Sequence, residues 1–394
     1  MGAHLQEQAA TGRERIERGL SLLQEAQADF QTLQAHQNTW GDRLIFNHGI
    51  PLESLETRVP ISPPSQAHTV FATDGSQIAP SHHEIAYCYL INIGRVMLHY
   101  GQSLHPLLDH LPEIFYRSED LYTSRKWGIR TDEWLGYRRT ASEAEVLAEM
   151  ACKWVLPPGA HGHIPNVAMV DGSLVYWFLE NLPAEARQQI LEPLLGAWQQ
   201  LRETRIPLIG YISSTRSVEA VHFLRLQACP HDKPDCQTHC LDGETKERKP
   251  EFRETLPCQT IEPLRDSTLF EQLLQPGDRS GLWLSQARIL NHYPEADQVC
   301  FCYLHVGTEV ARIEMPRWVA ADPQLLDQTL GIVLGQVQKG FGYPVAIAEA
   351  HNQAVIRGGD RARFFALLEQ QLLKAGLTNV GVSYKETRKR GSVA

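Results

Sequence analysis

Three apolar runs, each broken by small polar residues, leave few folds open to this chain. They are "TVFATDGSQ" at 69–77, "NVAMVDGSL" at 166–174 and "PLIGYISSTRS" at 207–217. Short apolar runs bounded by Gly and Ser read as buried strands, and the second and third lead into stretches with helical spacing. Repeated strand, turn and helix order predicts an α/β fold with a mixed central sheet flanked by helices. "VCFCYLHV" and "EVARIEMPRWV" read as a strand pair, and "HHEIAYCYLINIGRVMLHYG" as one or two strands of a hairpin or meander.

Helical spacing marks the rest. Residues 5–36 carry Ile16, Leu20, Leu23 and Phe30 at near-helical intervals, which predicts one long helix or a helical hairpin serving as a packing or dimerisation arm. The Pro-rich "RVPISPPSQ" separates this arm from the main domain. "TASEAEVLAEMACKWVL" reads as a helix with Thr140 or Ser142 as its cap and Leu147, Met150, Ala151 and Trp154 as its apolar stripe. Glu143 precedes Leu147 by four residues and so lies on that stripe, where a carboxylate needs a partner. Helices are expected at 323–340 and 360–375, and "GYPVAIAEAHNQAVI" as a buried strand entering a helix. The expected organisation is an arm and linker at 1–60 and one domain at 61–394, with a Cys-rich insertion at 228–260.

Composition excludes some functions. The net charge of −9 argues against coating nucleic acid by bulk electrostatics, though it leaves room for a local basic groove. No run approaches the roughly 20 apolar residues that span a bilayer, and the N-terminal residues lack the apolar core of a signal peptide. A cytosolic protein with no membrane partner is expected, and its eight cysteines then read as thiols or metal ligands.

The tripeptide DGS occurs twice, at 74–76 and 171–173. With usages of about 5 to 7% per residue type, the chance expectation is on the order of a tenth for one. Asp-Gly is a favoured turn pair, and a strand end is also where a sheet holds a carboxylate rigidly, so Asp74 and Asp171 are either turn formers or ligands. Oxygen-preferring Mg²⁺ or Mn²⁺ ions use such carboxylates in phosphodiester cleavage, where they activate water and stabilise the leaving oxygen. Asp74, Asp171 and Glu143 form the natural set, and His351 in "AEAHNQ" is either a further ligand, a proton donor or a structural histidine. Tyr343, just before Pro344, reads from its spacing as a packed aromatic.

A separate cluster lies in the insertion. Cys229, Cys236, Cys240 and Cys258, with His231 and His239 nearby, could hold Zn²⁺ or an iron–sulfur cluster, or remain unligated thiols. Cys88, Cys152, Cys300 and Cys302 sit in apolar runs and read as small core residues.

The ordered series "ATDGSQ", "RRTASEAE", "VAMVDGSL", "GYISSTRS", "ARIEMPRWV" and "KGFGYPVAIAEAHNQAVI", covering about residues 68–390, resembles the NurA nucleases, partners of the HerA DNA-translocating ATPase. The resemblance implies an RNase H-like core and Mn²⁺-dependent activity on DNA, both single-strand endonuclease and 5′-to-3′ exonuclease. It also implies a role in resecting DNA ends at double-strand breaks, beside a hexameric ATPase and as a homodimer. Its site residues fall on Asp74, Asp171, Tyr343 and His351, and its acidic helix on Glu143, with Glu145 and Glu149 as alternatives of register. DNA-facing cations are expected at Arg138, Arg139 and Arg216 and in the tail at Lys385, Arg388, Lys389 and Arg390. No GxxxxGK[ST] run occurs, which fits a motor on another chain. The competing readings are an inactive DNA-binding or motor-docking scaffold, and an RNA-directed nuclease of the same fold.

Overall fold

The structure is a computed structural model and describes residues 2–80, 88–157, 160–240, 256 and 258–374. The strands are β1 (Gly49–Pro51), β2 (Arg58–Pro60), β3 (His68–Ile78), β4 (Tyr89–Tyr100), β5 (Leu107–Phe115) and β6 (Asn166–Asp171). They continue as β7 (Leu208–Ile212), β8 (Asp278–Ser280), β9 (Trp283–Ser285), β10 (Val299–His305) and β11 (Val310–Pro316). The α-helices are α1 (Gly2–Ala28), α2 (Phe30–Trp40), α3 (Ser118–Tyr122), α4 (Thr131–Val155), α5 (Ala184–Glu203) and α6 (Glu219–Gln227). After them come α7 (Cys236–His239), α8 (Asp266–Glu271), α9 (Arg317–Ala320), α10 (Pro323–Lys339), α11 (Val345–Ala354) and α12 (Gly358–Lys374). No helix among the described residues is long and apolar enough to cross a membrane.

The chain divides into two units. The first comprises Met1–Ser65, Asp171–Trp177 and Ile209–Pro344, and the second Gln66–Val170, Phe178–Leu208 and Val345–Ala394.

In the first unit the strand order is β1-β9-β10-β11-β7, with β2 and β8 at the side of β10, and every pair is antiparallel. The helical arm forms as two helices that meet at Asp29. Its Leu22, Leu23 and Leu33 are buried in one core with Phe223, Leu224, Phe270, Trp283 and Phe301. Burying each such leucine is worth about 1.5–3 kcal/mol, so α1 is held by this core.

In the second unit the order is β6-β3-β4-β5, with β6 parallel to β3 and the other pairs antiparallel. The sheet is therefore mixed, and helices pack on it as expected: α4 lies on β3 and β4, and α11 on β3, β4 and β5.

Two local readings of the sequence are corrected. Helix α4 begins at Thr131, so Thr140 and Ser142 are interior residues, and Thr140 Oγ1 donates back to the Gly136 carbonyl at 3.3 Å. Trp134 and Leu135, both buried, extend the apolar stripe upstream of those polar residues and carry the helix with it. The segment read as a strand after Pro344 is helix α11 from its first residue, with Ala346, Ile347, Ala350 and Ala354 buried. That spacing is one face of a helix, and alanine favours it.

Candidate active site

Strand β3 does not stop at its Asp-Gly. It runs through Asp74, Gly75 and Ser76 to Ile78, paired with β4 at every position from His68↔Tyr100 to Ile78↔Leu90. The expectation that Gly75 ends the strand is corrected: its glycine serves close approach. A Cβ on Gly75 would lie 2.3 Å from Glu143 Oε1 and 2.7 Å from Arg139 Cγ, so α4 delivers these side chains across the strand at this gap. Thr73 Oγ1 donates to the Glu143 carbonyl at 2.9 Å and fixes α4 to β3 at the same level.

Each residue of this DGS has a separate task. Asp74 Oδ1 accepts from the Gly75 amide at 2.8 Å, and Oδ2 lies 2.7 Å from His351 Nδ1. Against a carboxylate acceptor Nδ1 carries the proton, which leaves Nε2 as the basic nitrogen of a ring that is 68% exposed. Ser76 Oγ donates to the Ala354 carbonyl, to which Asn92 Nδ2 also donates at 2.8 Å. The C-terminal end of α11 is thereby tied down one turn beyond His351, satisfying a carbonyl that the helix itself leaves open.

Glycine matters once more beneath this helix. A Cβ on Gly94 of β4 would stand 2.3 Å from the Ala350 carbonyl oxygen and 2.5 Å from the Ala354 amide nitrogen. Both are backbone atoms, so Gly94→Ala is expected to push α11 off the sheet, costing about 1–3 kcal/mol. Urea unfolding measures the loss, and an unchanged midpoint would contradict the close packing.

The three glutamates of α4 differ in their surroundings. Glu143 is partly buried over β3 and pairs with Arg139 at 3.2 Å, whereas Glu145 is exposed and Glu149 pairs with Lys153 on the outside of α4. Arg139 is thus engaged with the carboxylate that stands against Gly75. Arg216 is exposed in the segment before α6, and the tail cations lie outside the described residues.

The second DGS is built differently and belongs to the first unit. Asp171 is the exposed last residue of β6, and Gly172 turns the chain at φ +102°. Past the turn, Ser173 Oγ and the Leu174 amide both donate to Glu314 Oε2, at 2.8 and 2.7 Å. Glu314 is 1% exposed, and its Oε1 accepts from Arg312 Nε at 2.7 Å. Arg312 in turn pairs with Glu219 at 2.9 Å and donates to Ser217 Oγ at 2.7 Å. Tyr293 completes the clamp by donating to the Leu174 carbonyl at 3.0 Å and accepting from the Tyr176 amide at 3.3 Å. Tyr343 is half-buried and meets Tyr211 edge-on, with ring centroids 5.6 Å apart. Burial, followed by the Glu309 carboxylate, pushes the Tyr211 hydroxyl well up from its usual range, so it stays protonated and donates to Glu309 at 3.2 Å. Of the aromatics after the turn, Tyr176 is buried and Trp177 is 64% exposed.

Asp74 and His351 are thus brought into contact in the second unit, while Glu143, paired with Arg139, stands against the neighbouring Gly75 of the same strand. Asp171 and Tyr343 belong to the first unit. The sequence reading missed Thr73, Ser76, Asn92, Gly94 and Glu314. Only Glu314 left a signal: an Arg and a Glu two residues apart inside the apolar strand "ARIEM" face the same side, and buried charges in a strand need partners.

Among the described residues no group of three or more His, Cys, Asp or Glu side chains already stands in a metal-holding arrangement. No curated protein matches the chain. One solved structure it is similar to is the crystal structure of the NurA nuclease from Sulfolobus solfataricus, with a TM-score of 0.47 at 13% identity over 81% of this chain and 88% of that one. The family model described as the NurA domain matches residues 68–356, well over half of the chain and nearly all of the motif series. The chain therefore belongs to the NurA family, as a nuclease of DNA repair and DNA end resection.

Proposed function

We propose that this chain is a Mn²⁺- or Mg²⁺-dependent phosphodiesterase that cuts single-stranded DNA internally and digests DNA from 5′ to 3′. In this reading it resects ends in the cytoplasm as a homodimer beside a HerA-type hexameric ATPase. The observation that carries the reading is the Asp74–His351 pair, with Glu143 held against the next residue of the strand, Gly75.

The donor set fits a hard cation. Asp74 and Glu143 offer carboxylate oxygens, and the Arg139 guanidinium at 3.2 Å already sits where positive charge is favoured against Glu143. Asp171, the exposed last residue of β6, is the third ligand of this reading. When bound, one or two such ions would supply charge stabilisation for the phosphoryl group and the leaving oxygen.

The remaining steps belong to the chain's own residues. Asp74 orients the His351 ring so that Nε2 faces outward, able to accept a proton from the attacking water or, once protonated, to return one to the leaving oxygen. Tyr343 presents a hydroxyl to a phosphate oxygen or an ordered water. Arg139 and Arg216 offset phosphate charge along the strand.

The experiment is cleavage of single-stranded DNA, RNA and hybrid strands by the purified chain, with Mn²⁺ and after chelation. The expected result is metal-dependent cleavage of DNA that stops on chelation. Cleavage that survives chelation would end the metal reading, a preference for RNA would move the substrate class, and absence of cleavage on every strand would favour a scaffold.

A further inference from the structure

We propose that Cys229, Cys236, Cys240 and Cys258 form a tetrathiolate metal centre, filled by Zn²⁺ or an iron–sulfur cluster and separate in chemistry from the carboxylate site. The four side chains line one small cavity together with Arg225, Pro230 and Pro234. Cys236 and Cys258 are buried, while Cys229 and Cys240 are half-buried at its mouth, and none of the four is in a disulfide.

Four cysteines lining one cavity supply the donor set of a tetrahedral thiolate site, and a bound cation would take them as thiolates with release of their protons. A cation is already present at the edge: buried Arg225 directs Nη2 at Cys258 Sγ from 3.3 Å, while its Nη1 is held by Glu262 at 2.9 Å. The scaffold is prepared as well. Cys236 opens the short helix α7 and Cys240 follows its end, and Asp235 caps the helix by accepting from the Thr238 amide at 3.0 Å. Arg43 pairs with Asp235 at 2.8 Å and ties this turn to the segment after α2. A metal would cross-link Cys229, the α7 turn and Cys258, three separate stretches of the chain. The four thiols do not yet stand at ligating geometry, so the change on binding is deprotonation and a small inward movement of the sulfurs. No electron transfer is required for Zn²⁺. A cluster would be delivered already assembled with its iron and sulfide.

The test uses the full chain and reads metal, not cleavage, so its failure is distinct from failure of the nuclease reading. Elemental analysis and absorbance of the purified protein are expected to show either zinc without colour or iron and sulfide with thiolate-to-iron absorption. Reduced, metal-free protein is expected to take up Zn²⁺ stoichiometrically against a chelating dye. The Cys236→Ser/Cys240→Ser variant is expected to lose that uptake, and Cys88→Ser to keep it. A thiol reagent applied to the folded wild type guards against a variant that fails to fold: four of the thiols should be protected by Zn²⁺ and released by chelation. Absence of metal and of Zn²⁺ uptake, uptake unchanged in the double variant, or disulfides among the four would each overturn the proposal.

Discussion

Asp74→Asn should cut Mn²⁺-dependent cleavage of single-stranded DNA by roughly 10²- to 10³-fold, the loss typical of removing one preorganised electrostatic group from a reacting centre. The amide is nearly isosteric and keeps Oδ1 as an acceptor for the Gly75 amide, whose bond in the native chain is 2.8 Å. What it removes is the charge on Oδ2 and, with it, the acceptor that fixes the proton on His351 Nδ1 at 2.7 Å. Stability should change by less than about 1 kcal/mol, because the strand pairing and the tie from Ser76 to α11 remain. Asp171→Ala should lose activity to a similar extent with still less effect on folding, since the side chain is exposed at a strand end. Cleavage by either variant at the wild-type rate, at saturating metal, would remove that aspartate from the site.

Glu314→Ala should destabilise the protein by about 3 kcal/mol or more, which is the cost of breaking a buried, hydrogen-bonded ion pair from one side. The substitution strands the buried Arg312 with Glu219 as its remaining carboxylate, and it deprives the Ser173 hydroxyl and the Leu174 amide of their shared acceptor. Because that acceptor holds the turn directly after Asp171, cleavage should also fall when measured at a temperature where the variant is fully folded. Glu314→Gln, which keeps an acceptor oxygen for the turn but loses the charge against Arg312, should recover cleavage more than stability. Urea unfolding and single-turnover cleavage of the two variants separate these effects. A variant that loses stability while cleaving normally would reduce Glu314 to a purely structural residue.

Much of the fold was legible because apolar periodicity is a local property of the chain. The pair β10 and β11, the strand and helix of β7 and α6, and helix α10 lie where their spacing places them. The motif order reached the right family for the same reason: short strings such as ATDGSQ survive as strings whatever surrounds them. The misreadings were at positions where local chemistry points one way and a distant element decides. Thr140 looks like a cap until buried Trp134 extends α4 past it, and the residues after Pro344 look like a strand until their alanines meet β4 at Gly94.

The two DGS tripeptides separate the two kinds of information most clearly. By itself the sequence determined that each aspartate follows an apolar run and precedes a glycine, which narrows it to a turn former or a rigidly held ligand. Tertiary structure alone decided that they differ. Gly172 makes a turn at positive φ whose next residues are clamped by Glu314, whereas Gly75 stays in the strand and leaves the gap that Glu143 and Arg139 enter. The physical reason is that a missing Cβ serves either backbone rotation or close approach, and which one applies depends on what another part of the chain brings within 3 Å of the site it vacates.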